Sequence, residues 1–551
     1  KVRMDYADVR MALMEERYFQ PVYQWHAARG MIFGCDSGGR GLNPHEFGDY
    51  FRATRWYTAP GHDTPGGKAD LIKGKVDSSV ANLYGRPRVW LEGYHSLGWG
   101  ATPEQILSAT RENDLYGTTL FNLHGLYYST YGSYWEWAPP CYHFRMPYWR
   151  HMDAFLGYFD RLSYLLSQGR LACDVAVVYP VAPYEAEMDG DASKNTAFEL
   201  ARKLFAAGIN FEFIDNDSLA RAAAEGGLLK VKDAGAAFRA LIVPNMRAVR
   251  AATIEKAAAF AQAGGLVLGV GALPEAWDRA GRDDPALDAL NARAFAPACR
   301  LASPDAAVAA VRGAFTQDVQ GAGQTVRALH RKAGPRDVYF VMDAQPGQAV
   351  EFRAKGAAEL WDPWTGATAP LRVTAETPTG TRVEMPLEMD EANVVVFTPG
   401  KPHVNPPPAD TRPERAKPLP AEWAVAFEPT MDNGHGDFRL PVTPESRWIG
   451  VEARCFEWAA ETAAVAEAMR AAGTPPLQSE AWRALAWQRK LHGFGTQAFV
   501  LGPVPKEADF ARLDAELSKL ARVRSGEAVH VGGKPLAWQP YDFSWRLGKE
   551  G

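Results

Sequence analysis

RVWLEGYHSLGWG, residues Arg88–Gly100, frames the reading of the whole chain. Val89, Trp90 and Leu91 form an apolar, strand-like run, and Glu92 and Gly93 end it. A loop rich in rings follows, with Tyr94, His95 and Trp99, and then TPEQILSATRENDLYG reads as a helix with Thr102 as its N-cap and Glu104 just inside. Strand, polar loop and helix in that order make one βα unit.

Working outward, three more stretches read as strands that end in polar or glycine-rich loops: MIFGCDSGG (Met31–Gly39), FRATRWYTAPGHD (Phe51–Asp63) and TTLFNLHG (Thr118–Gly125). Residues 5–29 carry apolar side chains at helical spacing and stop at Gly30. Four such units predict a TIM-type barrel, whose chemistry sits on the loops after the strands. A complete barrel needs eight units and roughly 250 residues, yet the pattern changes after the helix Arg145–Gly169. The expectation is therefore the C-terminal half of a barrel in a chain that is a fragment, since it opens on Lys1 without a leader.

Next come strands DVAVVYP, INFEFID, ALIVPN and GLVLGVG, alternating with the helical NTAFELARKLFAAG and ATIEKAAAFAQAG. This order predicts a flavodoxin-like parallel α/β domain. In GLVLGVGALP, Pro274 stands where a nucleotide fingerprint would place a third glycine, so a tight turn is the better reading. From about Thr325 the chain reads as paired strands with Gly and Pro turns, as in a β-sandwich. KPHVNPPPADTRPERAKPLP is a proline-rich linker, and the strand-rich remainder reads as jelly-roll-like. The fold class predicted is α/β plus all-β, with the half barrel at 1–170 and the flavodoxin-like domain at 171–322. A β-sandwich at 323–400, the linker at 401–420 and a β-rich domain at 421–551 complete it.

Composition narrows the function. A net charge of -5 in 551 residues, without a basic run, argues against nucleic acid as a partner. No apolar run reaches the roughly 18 residues of a membrane span. Five scattered cysteines lack zinc or redox spacing and read as buried thiols. The chain carries 17 tryptophans, and many of its aromatic rings sit beside Gly, His or acids, as in proteins that stack rings on sugars.

Glu92, at a strand end, would point into the barrel mouth. Glycoside hydrolysis needs two carboxyl groups flanking the scissile bond, and Glu92 suits one of them; the structural alternative is pairing with Arg86 or Arg88. Asp36 and Asp63 also follow strands, and either can serve as second carboxylate, as an oxygen ligand for a hard cation, or as a loop cap. Candidates for gripping a sugar are Trp56, His62, Tyr94, His95, Trp99, Asn122, His124, Tyr127, Tyr128 and Trp135, the rings alternatively packing their loop. His95 and His124 lack metal-ligand spacing and suit hydroxyl recognition.

LEGYHSLGWG, NLHGLYYSTYG followed by WAPP, RLSYLLSQG leading to DVAVVYP, ALHRK with DVYFVMD, ELWDPWTG and the late GDFRLP, in that order, resemble the bacterial α-L-rhamnosidases of glycoside hydrolase family 106 over nearly the whole chain. The resemblance implies a barrel, a flavodoxin-like domain and β-sandwiches. It also implies inverting removal of terminal L-rhamnose, dependence on calcium (Ca2+), and periplasmic or secreted location. Glu92 matches the family's general base, whereas the general acid belongs to an earlier strand that this sequence does not contain. Where family members carry an acid in an I-P-E motif, this chain reads Ala59-Pro60-Gly61-His62-Asp63, so Asp63 stands as the substitute for a catalytic or calcium-binding carboxylate. The expected partner is an oligosaccharide or rhamnoside substrate. The alternative is a non-catalytic carbohydrate-binding or scaffold protein derived from such an enzyme; a flavin or nucleotide protein built on the middle domain is a third reading.

Overall fold

The computed structural model describes residues 1–34, 39–98, 100–126, 140–143, 146 and 148–407, and the backbone of short strands between Val451 and Leu547. The chain divides into two compact units. One comprises Lys1–Tyr94, Thr102–Leu123 and His151–Pro418; the other comprises His95–Ala101, His124–Arg150 and Leu419–Gly551. The proline-rich stretch from 408 onward and nearly all of the expected last domain lie outside the described residues. Parallel and antiparallel sheets both occur, as a mixed α/β plus all-β chain requires.

The first unit opens with helix α1 (Val2–Met14), which runs through a π-helical turn (Glu15–Phe19) into α2 (Gln20–Ala27). The stretch from Phe51 that reads as a strand is instead a short helix, α3 (Tyr50–Thr54), leading into turns. Asp49 decides this locally: its carboxylate accepts the Arg52 backbone N–H and caps the turn. Extended backbone begins later, at β1 (Gly61–Thr64). Then follow α4 (Leu71–Leu83), β2 (Trp90–Gly93), α5 (Pro103–Tyr116), β3 (Leu120–Leu123) and α6 (Met152–Leu166). Thr102 caps α5 in a reciprocal capping box with Gln105, and Gly117 ends it at φ +105°, a conformation that glycine adopts without strain. β1, β2 and β3 form a three-stranded parallel sheet in chain order.

Strands Val175–Val178, Phe211–Ile214, Ala240–Pro244, Leu266–Val270 and Arg300–Leu301 make a five-stranded parallel sheet, arranged 2-1-3-4-5 in their own chain order. The first three are buried along their whole length, which is why they read as continuous apolar runs. After Leu266–Val270 the chain turns at Gly271 (φ +74°), where Asn245 accepts the Ala272 N–H, and enters short strands, so no phosphate-binding helix opens there. Of the cysteines, Cys141 is buried, Cys173 and Cys299 are half-buried, and none of these three forms a disulfide.

A six-stranded and a four-stranded antiparallel sheet follow. Their facing sides share one core, in which Tyr339, Val341 and Phe397 of the larger sheet meet Val350, Phe352 and Val383 of the smaller. Each fully buried aromatic or aliphatic side chain there contributes on the order of 2 kcal/mol. Arg170–Leu171 adds an edge strand to the larger sheet by pairing with Arg331 and Lys332.

Within this core His330 stacks on Tyr339, with ring centroids 4.0 Å apart, and its two nitrogens lie 2.8 Å from Asp318 and 2.8 Å from Asp337. Burial opposes the charged ring, yet the two carboxylates prevail and raise the His330 pKa. Burial likewise opposes ionisation of both acids, but His330 with Arg353 lowers Asp318, and His330 with Lys332 lowers Asp337. The histidine term is fully present below its unfolded pKa and disappears as pH rises through the folded one; the carboxylate terms are present above their unfolded pKa and disappear as pH falls. Both act together between roughly pH 4 and 6.5. Urea unfolding of His330→Asn is expected to show a loss of about 3 kcal/mol at pH 5.5, shrinking by pH 9; an equal loss at both pH values contradicts the charged triad.

Candidate active site

Parallel pairing fixes which residues stand side by side. Asp63 is register partner to Glu92, and Glu92 to Asn122, so one residue from each strand forms a row near the C-terminal ends of β1, β2 and β3. Adjacent strands are roughly 4.8 Å apart, which sets the spacing of the row. The alternate residues point the other way, towards helices. His62 Nδ1 lies 2.9 Å from Asp77 of α4, and Phe121 packs on Phe159 of α6 with centroids 5.8 Å apart. Because successive side chains in a strand alternate faces, Asp63, Glu92 and Asn122 occupy the face that these helices do not cover.

Exposure rises along the row: Asp63 is buried, Glu92 half-buried and Asn122 exposed. One layer down, Gly61 faces Trp90, and a Cβ on Gly61 would come within 2.2 Å of the Trp90 carbonyl oxygen. The missing side chain is what lets the two strands pair at this register.

Asp63 is held by two cations. Arg40 forms an ion pair with its carboxylate, and Lys73 of α4 donates to its carbonyl oxygen at 2.9 Å and to Oδ1 at 3.3 Å. Neither base stands out in the sequence, because a cation that reaches across a loop leaves no spacing signal. Asp70 caps α4 by accepting from the Ile72 and Lys73 backbone N–H groups, which fixes where Lys73 begins its reach. Among the described residues no three His, Cys, Asp or Glu side chains gather as a metal ion would require. With its charge already answered by Arg40 and Lys73, Asp63 does not fit the role of calcium ligand.

Arg86 and Arg88, close to Glu92 in sequence, donate to other groups. Arg86 donates to Tyr23 Oη and the Arg55 carbonyl, and Arg88 donates to the carbonyls of Thr119 and Ser163.

Several expected sugar contacts stand apart from the row. Tyr94 is fully buried with its hydroxyl 2.6 Å from Thr110, and burial pushes its pKa up, so it belongs to the core. His62 is fully buried on the helix side of β1. Trp56 donates its indole N–H to Glu15 at 2.9 Å, anchoring the N-terminal helices. In the second unit, His95 and His124 lie next to each other, with ring centroids 5.2 Å apart. Asp36, Trp99, Tyr127, Tyr128 and Trp135 lie outside the described residues.

Asp114, a residue without any sequence signal, is fully buried on α5, and neither of its oxygens has a hydrogen-bond partner among the described residues. Burial drives its pKa well above the ordinary range, against the opposing pull of Arg111. Since the folded value exceeds the unfolded one, Asp114 weakens the fold as pH climbs past roughly 4. Asp114→Asn is expected to raise stability at pH 8 by about 1–2 kcal/mol relative to its effect at pH 4, measured by urea midpoints; a change independent of pH would refute a neutral, buried acid.

Comparison with known proteins places this geometry among carbohydrate-active enzymes. The family profile described as alpha-L-rhamnosidase, glycoside hydrolase family 106, matches residues 63–375. A curated protein of Formosa agariphila (strain DSM 15362 / KCTC 12365 / LMG 23005 / KMM 3901 / M-2Alg 35-1), provisionally named a beta-glucuronidase, is 25% identical over 349 residues, covering 59% of this chain and 28% of that protein. The solved structure of the rhamnosidase from Novosphingobium sp. PP1Y superposes with a TM-score of 0.56 at 21% identity, over 77% of this chain and 41% of the other, a likeness of fold. This chain thus spans less than half the length of either.

Proposed function

The chain belongs to glycoside hydrolase family 106, the α-L-rhamnosidases, and from that membership we propose that it serves the removal of a terminal α-L-rhamnose, or a related deoxyhexose, from a glycan or glycoside with inversion at the anomeric carbon. In this reading β1–β3 with α4–α6 are part of a TIM-type barrel, and the 2-1-3-4-5 sheet is flavodoxin-like. The observation that carries the proposal is the position of Glu92: central in a polar row at strand ends, half-buried, on the face turned away from α4 and α6.

Glu92 acts as general base. Its carboxylate takes a proton from a water molecule, the water oxygen attacks the anomeric carbon, and the bond to the leaving oxygen breaks on the opposite face as that oxygen takes a proton from the second, acidic carboxyl group that an inverting hydrolase requires. Inverting enzymes hold their two carboxyl groups about 6.5–9.5 Å apart to admit that water. Asp63, buried and paired with Arg40 and Lys73, is not the proton donor to the leaving oxygen; it positions the loop bases beside the row. Asn122, the exposed end of the row, offers amide donors and an acceptor to a sugar hydroxyl.

Glu92→Gln keeps shape and removes the base. In the protein that carries this chain, kcat on an aryl α-L-rhamnoside is expected to fall about 10²–10⁴-fold with KM little changed, and NMR of the parent reaction to show the β-anomer of the sugar released first. Undiminished turnover rules Glu92 out as base; the α-anomer first rules out inversion.

A further inference from the structure

The opposite ends of β2 and β3 border a different feature. A cavity of about 200 Å3 lies beside Val89 and Thr119, the residues preceding these strands, and is lined by Arg86, Arg88, Arg170 and Arg331 together with Asn82 and Glu212. Four arginines on one small space demand an account, because Arg331 is buried and buried charge is ordinarily paired with opposite charge.

None of the four forms an ion pair with a carboxylate among the described residues. Arg88 donates through Nη1 to the carbonyls of Thr119 and Ser163, at 3.3 and 2.9 Å. Arg170 donates through Nη1 to Gly235 O at 2.7 Å. Arg331 donates through Nε and Nη2 to the carbonyls of Gln168 and Gly169, at 2.7 and 3.0 Å. Arg86 spends its donors on Tyr23 Oη and Arg55 O. A guanidinium carries five N–H donors, so among the described residues Arg88, Arg170 and Arg331 each retain nitrogens with no bond.

The acid on the cavity wall does not balance this charge. Glu212 is buried and accepts from Asn82 at 2.7 Å; burial, against the pull of Lys75 and Asn82, pushes its pKa up to about 7. Arg331 is 9% exposed, and burial lowers its pKa to about 10 despite Glu212. Burial is the leading cause of both shifts, and it disfavours the charged form of each group. Access exists, because Arg170, Gly85 and Pro87 on the wall are exposed.

We propose that this cavity binds a tetrahedral oxyanion, inorganic phosphate or sulfate, through the guanidinium groups of Arg88, Arg170 and Arg331. Planar guanidinium forks match the paired oxygens of such an anion and form charge-assisted bonds. The bound anion links the start of β2, through Arg88, to the sandwich edge strand of Arg170 and to its neighbour strand through Arg331. It therefore acts on the stability of the unit, remote from the row at Glu92.

Equilibrium dialysis with labelled inorganic phosphate, and thermal melts in phosphate, sulfate or chloride at matched ionic strength, test the site. Expected are one phosphate per chain, displacement by sulfate, and a melting temperature that rises saturably with either anion but not with chloride. Arg88→Gln and Arg170→Gln are each expected to weaken binding at least fivefold. Arg170 holds just one carbonyl, so its variant decides the matter should Arg88→Gln fail to fold. Absence of saturable binding, phosphate that sulfate does not displace, or unaltered affinity in the folded variants overturns the proposal.

Discussion

Pairing of β1, β2 and β3 in parallel, at a register that aligns Asp63, Glu92 and Asn122, is the constraint from which the site follows. Each strand is four residues long and must bury one set of side chains against helices. His62, Leu91 and Phe121 form that set, and the intervening residues are thereby committed to the opposite face. A slip of one residue would send Glu92 into the helices and bring Leu91 to the open side. Gly61 opposite Trp90 guards against it, because the close approach of the Trp90 backbone and Cβ leaves no space for a Cβ on residue 61.

Charge is arranged on this frame with different degrees of compensation. Asp63 has two cationic partners and is a fixed element of the loop architecture. Asp114 has no hydrogen-bond partner among the described residues, and burial raises its pKa against the pull of Arg111, whereas His330 is matched by an acid on each nitrogen. Glu92, between a buried ion pair and an exposed amide, stands where a carboxylate can meet both protein and water. A hydrolytic base needs that mixed setting: enough burial to orient it and enough access to bind a water. At the far ends of the same strands the balance tips toward positive charge, giving the two ends of this small sheet distinct electrostatic characters.

Reading the chain from its residues worked where a local signal matched a local cause. Thr102 announced α5, and the apolar runs at 175–178, 211–214 and 240–244 announced strands buried on both faces. The stretch 51–63 misled because its rings and β-branched residues suit a strand, while the deciding residue, Asp49, lies just before it and caps a helix. Tyr94 looked like a sugar contact from its place beside Glu92, yet neighbours in a chain that leaves a strand need not share a surface, and its hydroxyl turned inward to Thr110. Arg40 and Lys73 were illegible, since ion pairing across a loop follows no period.

The sequence by itself determined the helices and strands that carry a local cap or apolar run, the α/β-then-β order, the family, and the place of Glu92 at a strand end, because helix caps, apolar runs and chain-ordered motifs are properties of neighbouring residues. Tertiary structure alone decided which strand lies beside which, that Asp63 answers to Arg40 and Lys73, and that arginines from three distant stretches of the chain converge on one cavity. Those outcomes depend on register and on which charges burial brings within reach of each other, and both are settled when the sheets pack.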